Sequence, residues 1–217
     1  MLRRSLFKLF IASALVAAAP LSFSLEAGKD YAVLQPAQPS LGNGQIEVIE
    51  FFSYGCPHCA AFDPMLSKWR AAQGKDVVFR RVPVSFGRPE WAALGRIYLT
   101  LNALGLSDKL DGKVFEAIHK SYLKLDDEKI RNDWLTSQGV DVKKFNDTWR
   151  SFGIETQSRR ADQMAEAYRI QGVPSLIIDG RYIATDSGVP GEEAGHTRML
   201  ANAEQIVAKV RAEKAKK

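Results

Sequence analysis

Hydrophobic positions cluster into short runs at the two ends of the chain and into helical spacing in between. Ile46-Glu47-Val48-Ile49-Glu50-Phe51-Phe52 is a near-continuous apolar run and predicts a buried strand. Lys29 to Leu34 predicts a short first strand, and Gln35 to Gly44, with Pro36, Pro39, Gly42 and Gly44, a loop. Behind the buried strand, Phe62, Met65, Leu66 and Trp69 recur at helical spacing, in a helix expected to be kinked or broken at Pro64. Gly74-Lys75-Asp76 ends that element, and Val77 to Val84 returns as a strand. Strand, helix, strand is a βαβ unit, so its two strands should run parallel.

The middle of the chain carries almost no strand pattern. Pro89 opens a helix through Trp91, Leu94, Ile97, Tyr98 and Leu101 that ends at Gly105. Ser107 or Asp108 should cap a second helix through Leu110, Val114, Phe115 and Ile118. Asp126 should cap a third with Ile130, Trp134 and Leu135, and Asp141 a fourth with Val142, Phe145 and Trp149, stopped by Gly153. A fifth is expected from about Thr156 to Arg169. Strand pattern returns at Ser175–Ile178 and Arg181–Ile183, joined by Asp179-Gly180 as a hairpin turn. The last helix, near Thr197 to Ala212, puts Met199, Ala203, Ile206, Val207 and Val210 on one face.

Composition changes this picture at the N-terminus. Arg3, Arg4 and Lys8 precede an apolar stretch, Leu9 to Ala19, with no acidic residue, which is the pattern of a cleaved secretory signal peptide spanning residues 1–24. Ser22-Phe23-Ser24 supplies small residues at cleavage spacing; a retained anchor is the alternative. Losing those three cations takes the formal charge from +5 to +2, so the basic full-length balance says little about nucleic acid, and none is expected as a partner.

Cys56 and Cys59 are the only cysteines, and they sit where the buried strand gives way to a helix. Cys56 falls near the N-cap, Pro57 at the first helical position and Cys59 on the first turn. Residues three apart share a helix face, so the two sulfurs can join. The unpaired N–H groups and dipole of the helix start favour a thiolate on Cys56, whose pKa should fall into the roughly 3.5–7.5 range of thiols so placed. His58, if protonated, adds a positive charge. A redox-active dithiol is the preferred reading. Zinc would need four ligands, and besides His58 only His119 and His196 are available, at no ligand-like spacing. A structural disulfide closing so short a loop would stabilise little. No metal and no cofactor are expected.

The stretch Glu47 to Cys59, ending in Cys-Pro-His-Cys, resembles the active site of the DsbA family of periplasmic thiol:disulfide oxidoreductases. Gly172-Val173-Pro174-Ser175 resembles the cis-proline loop of the thioredoxin superfamily. The resemblance implies an α/β thioredoxin fold with an inserted all-helical domain: residues 25–87 and 161–217 in the thioredoxin-like part, 88–160 in the insert. It implies an enzyme in which Cys56 is attacked by substrate, Cys59 closes the disulfide, His58 tunes the thiolate, and Glu50 is a buried acid that moves protons. The bland alternative for Glu50 is a partly exposed strand residue paired with Arg81. Pro57, Val173 and a cis Pro174 would face the substrate, with the Val173 backbone pairing to an extended chain. The implied partners are reduced, unfolded exported proteins and a DsbB-like membrane reoxidase; the protein is expected to be a periplasmic monomer. A reductase or isomerase of the same fold, or a chaperone-like binding module, is the alternative function.

Overall fold

A computed structural model describes residues 25–40 and 42–216; the leader expected over residues 1–24 lies outside the described residues. In chain order the elements are β1 (Tyr31–Val33), β2 (Ile46–Phe52), α1 (Pro57–Ala71), β3 (Val77–Pro83), α2 (Pro89–Ala103), α3 (Ser107–His119), α4 (Glu128–Ser137), α5 (Val142–Trp149), α6 (Phe152–Ala167), β4 (Ser175–Ile178), β5 (Tyr182–Ala184) and α7 (Glu192–Lys214). The five strands form one sheet in the order β1-β5-β4-β2-β3. β2 and β3 are parallel, as the βαβ reading requires, and the other pairings are antiparallel. The β4–β5 turn uses Asp179 and Gly180, both at positive φ; a Cβ on Gly180 would lie 2.1 Å from the Gln38 carbonyl oxygen.

All seven residues of β2 are buried because both sheet faces are covered. Alternation along the strand divides them. Ile46 and Val48 pack with Phe62 and Leu66 of α1 and with Ala203, Ile206, Val207 and Val210 of α7. Ile49 and Phe51 pack on the opposite face with Ala161, Ala165 and Tyr168. Phe52, at the strand's end, joins a third cluster built by α2 to α6, including Ile97, Leu101, Val114, Phe115, Leu135 and Phe145. Glu50 falls in the row Ile46-Val48-Glu50-Phe52, under α1 and between two apolar clusters. α6 bridges the two regions: Ile154 packs with the helical cluster, Ala161 and Ala165 against the sheet.

Several boundaries differ from expectation. α1 runs unbroken through Pro64. That residue lies on the exposed side of the helix, where water can take the Ala60 carbonyl that loses its bond. Asp127, not Asp126, caps α4, accepting from the Ile130 N–H at 2.9 Å. No side chain caps α3; Leu106 holds that position. Gly153 does not stop a helix but lies in the first turn of α6, which Ser151 caps. α7 starts a full turn earlier than Thr197, at Glu192.

Candidate active site

A four-residue loop, Ser53 to Cys56, joins β2 to α1, and Cys56 is the N-cap of α1 with extended backbone (φ −92°, ψ 118°) followed by Pro57 at the first helical position. No side chain satisfies the first N–H groups of this helix, so its positive end is open to a neighbouring anion. Both cysteines are free thiols. Cys56 keeps 5 % of its surface exposed and Cys59 none, although they are one helical turn apart. The Cys56 thiol donates to the carbonyl of Val173 at 3.4 Å, and the Val173–Pro174 peptide is cis. Chain segments 117 residues apart therefore meet at the reactive sulfur.

The two thiols are polarised in opposite directions. Hydrogen bonding from the Cys59 thiol lowers Cys56 to about 6. The nearby N–H groups of Cys59 and His58 and the charge of His58 act the same way, and burial opposes them. Burial pushes Cys59 far above the ordinary thiol range, and its bond to Cys56 and the negative charge of Glu50 add to that. His58 is exposed and its Nδ1 meets the Oε1 of Glu192, on the first turn of α7. Hydrogen bonding to Glu192 raises the His58 pKa and so favours the imidazolium.

Beneath Cys59 lies a buried charge cluster. Glu50 has no exposed surface, so it is not the partly exposed residue of the bland alternative, but the pairing with Arg81 exists. Parallel register sets Glu50 opposite Arg81 on the adjoining strand, with Arg81 Nε 2.6 Å from Glu50 Oε2. The same guanidinium donates to Asp63 Oδ1 at 2.5 Å and to Asp111 Oδ2 at 3.0 Å. Desolvation raises Glu50 to about 7; Asp63 and Asp111 push the same way, and Arg81 opposes. The second carboxyl oxygen of Glu50 has no hydrogen-bond partner among the described residues.

The expected residues Glu50, Cys56, Pro57, His58, Cys59, Val173 and Pro174 thus converge on one end of the sheet. Asp63, Asp111, Tyr54 and Glu192 join them and carry no signal in the sequence strong enough to single them out; an aspartate directly beside Phe62 or Leu110 on an apolar helix face was the available hint. Tyr54 is fully buried and held by α3 at three points. Its hydroxyl donates to Asp111 Oδ1 at 2.5 Å, its ring lies edge-on to Phe115 with centroids 5.0 Å apart, and its carbonyl accepts from His119 Nε2 at 2.7 Å. Asp111, Phe115 and His119 are spaced four apart and share one face of α3. His196 makes none of these contacts; its ring lies tilted at 54° against Phe62, with centroids 4.9 Å apart.

Comparison with known proteins gives this geometry its context. Residues 47–197 match a family model described as a DSBA-like thioredoxin domain. The chain is 39 % identical over 210 residues to the thiol:disulfide interchange protein DsbA of Pseudomonas syringae pv. tomato, covering 94 % of this chain and 96 % of that one. It is 40 % identical over 186 residues to the protein of the same name from Pseudomonas aeruginosa, covering 86 % of each. The crystal structure of Pseudomonas aeruginosa DsbA superposes with a TM-score of 0.80 at 39 % identity, over 89 % of this chain and 97 % of that one. With its α/β fold and a run of helices between β3 and β4, the chain belongs to the family of DSBA-like thioredoxin domains and is a thiol:disulfide oxidoreductase.

Proposed function

We propose that the protein is a periplasmic dithiol oxidant that donates a Cys56–Cys59 disulfide to reduced, newly exported proteins. The observation that carries this reading is the opposite polarisation of the two thiols one helical turn apart. A substrate thiolate attacks the Cys56 sulfur of the disulfide, forming a substrate–Cys56 mixed disulfide and releasing Cys59 as thiolate. Cys59 takes a proton, because its site does not tolerate charge. A second substrate thiolate then attacks the substrate sulfur and expels the Cys56 thiolate. The substrate leaves oxidised by two electrons and the enzyme is left as a dithiol. A leaving group already stable as thiolate favours the reduced enzyme and makes the disulfide oxidising.

In this scheme His58, whose imidazolium Glu192 favours, tunes the Cys56 thiolate, and Glu50 exchanges the proton with Cys59. Pro57, Val173 and Pro174 form the edge where an extended substrate chain docks. The thioredoxin-like part covers residues 25–87 and 161–217, and the helical insert 88–160, its boundary running through α6. The protein works as a monomer, reaches the periplasm through a leader cleaved after about residue 24, and is returned to the disulfide by a DsbB-like membrane reoxidase. Equilibration with glutathione tests the direction of the chemistry. The pair should have a reduction potential above roughly −200 mV, more oxidising than glutathione. A value well below that would favour the reductase alternative, and full in vivo function of Cys56→Ala would favour the binding-module alternative.

A further inference from the structure

Three carboxylates and one guanidinium meet at Arg81, with side-chain exposures of 0 % for Glu50, 5 % for Arg81 and 11 % for both Asp63 and Asp111. If all three acids were ionised the cluster would hold a net charge of −2 in a nearly dry site. Burying unpaired charge is costly enough that the cluster takes up a proton instead. The hydrogen bonds decide where it resides. Asp111 is bound at both oxygens, by the Tyr54 hydroxyl and by Arg81. Asp63 receives the short Arg81 bond. Glu50 is the deepest of the three and has one oxygen with no partner among the described residues.

We propose that Asp111, on α3 of the helical region, is a positioning residue for the redox centre: anchored by Tyr54, it draws on the charge of Arg81 and thereby keeps a transferable proton on Glu50. This rests on the reading of Glu50 as the group that exchanges a proton with Cys59. During substrate oxidation the Cys59 thiolate released from the disulfide takes the proton of the Glu50 carboxylic acid. This gives Cys59 thiol and Glu50 carboxylate, and Glu50 is then reprotonated from solvent. The ionisable groups around Glu50 are Arg81 from β3, Asp63 and Cys59 from α1 and Asp111 from α3. Tyr54 of the active-site loop meets the cluster through its bond to Asp111, and Tyr98 of α2 faces Asp111, Arg81 and Glu50. Tyr54 lies two residues before Cys56, so α3 holds the reactive loop and the acid cluster with the same side chain.

Asp111→Asn and Tyr54→Phe test this in the whole protein. Asn keeps the shape and an acceptor but removes the charge that disfavours Glu50 ionisation. The infrared C=O band of a buried protonated carboxyl should titrate near 7 in the parent protein, following the Glu50 value. The band should be missing from Glu50→Gln. In Asp111→Asn its midpoint should fall by about one pH unit, and in Tyr54→Phe it should move the same way by less. The rate of oxidation of a single-cysteine peptide, taken relative to Glu50→Gln, should decline with rising pH through the same midpoints. If Glu50→Gln retains the band and its rate profile matches the parent, the proton resides elsewhere and the Glu50 reading falls with the inference. If Glu50→Gln loses both but neither Asp111→Asn nor Tyr54→Phe moves the midpoint, the inference alone fails. A purely structural Asp111 would lower the melting temperature without shifting the titration. Should Asp111→Asn not fold, Tyr54→Phe decides.

Discussion

The two ends of the Cys56–Cys59 turn differ more than their separation of three residues suggests. Above, at Cys56, the helix start, the Val173 carbonyl and an exposed His58–Glu192 pair surround a sulfur that is easily ionised. Below, at Cys59, the sulfur is sealed between the apolar clusters and the Arg81 cluster and resists ionisation. One local motif therefore produces two thiols of opposite character because tertiary structure gives one hydrogen-bond donors and a helix start and seals the other against any charge. In the proposed reaction the exposed end sets which sulfur reacts, and the buried end sets where the proton goes.

Alkylation kinetics should expose that difference most strongly. Iodoacetamide should modify Cys56 of the reduced protein at least roughly a hundredfold faster than Cys59 at neutral pH, since only the thiolate reacts. The Cys56 rate should rise with pH and reach half its plateau near 6, the value to which its surroundings lower it. Peptide mapping by mass spectrometry after timed quenching measures both rates. Equal rates would erase the contrast, and faster loss of Cys59 would invert it.

Removing a buried cation should give the next largest effect, on stability, and removing an exposed one almost none. Arg81→Met leaves Glu50, Asp63 and Asp111 without their shared counter-charge and should cost about 3–5 kcal/mol in urea unfolding of the oxidised protein. Arg70→Met, which breaks an exposed pair with Asp108, should cost about 0–1 kcal/mol. A loss of under roughly 1 kcal/mol for Arg81→Met would mean that the three acids protonate or hydrate without penalty.

The sequence discloses these two ends unequally. Strand, cysteines and helix start are contiguous from Ile46 to Ala71, so local pattern suffices to place Cys56, Pro57 and Cys59, and Glu50 stands out as a charge inside an apolar run. The Arg81 cluster is assembled from β2, β3, α1 and α3, and nothing near Asp63 or Asp111 in sequence says that they point at the same guanidinium. Asp63 even precedes Pro64, which reads as a helix break and hides the buried face that continues through it. Glu192 is further still, 134 residues from His58, on a turn of α7 whose polar residues give no amphipathic signal. Helix ends are ambiguous in sequence for a related reason: Asp126 and Asp127 are chemically equivalent caps, and the packing of Ile130, Trp134 and Leu135 selects the register that Asp127 starts.

The smallest expected effect is at the exposed end, and it sharpens the contrast rather than breaking it. His58→Ala removes a cation near Cys56, so the thiolate loses stabilisation and its pKa should rise from about 6. The reduced form is then less favoured, and the reduction potential of the pair should fall. His58 is solvent-exposed and shares its charge with Glu192, so screening holds the shift to about one pH unit or less. Glu192→Gln should move Cys56 less than His58→Ala does. It weakens the imidazolium, which raises the Cys56 pKa, but it also removes the negative charge paired with His58, which lowers it. Ultraviolet titration of the thiolate in both variants, at low and high salt, separates these terms. A Cys56 shift in His58→Ala that persists undiminished in high salt would place His58 in direct contact with the sulfur instead of at a screened distance. No shift at all would leave the helix start and the Cys59 thiol as the sole source of the acidity.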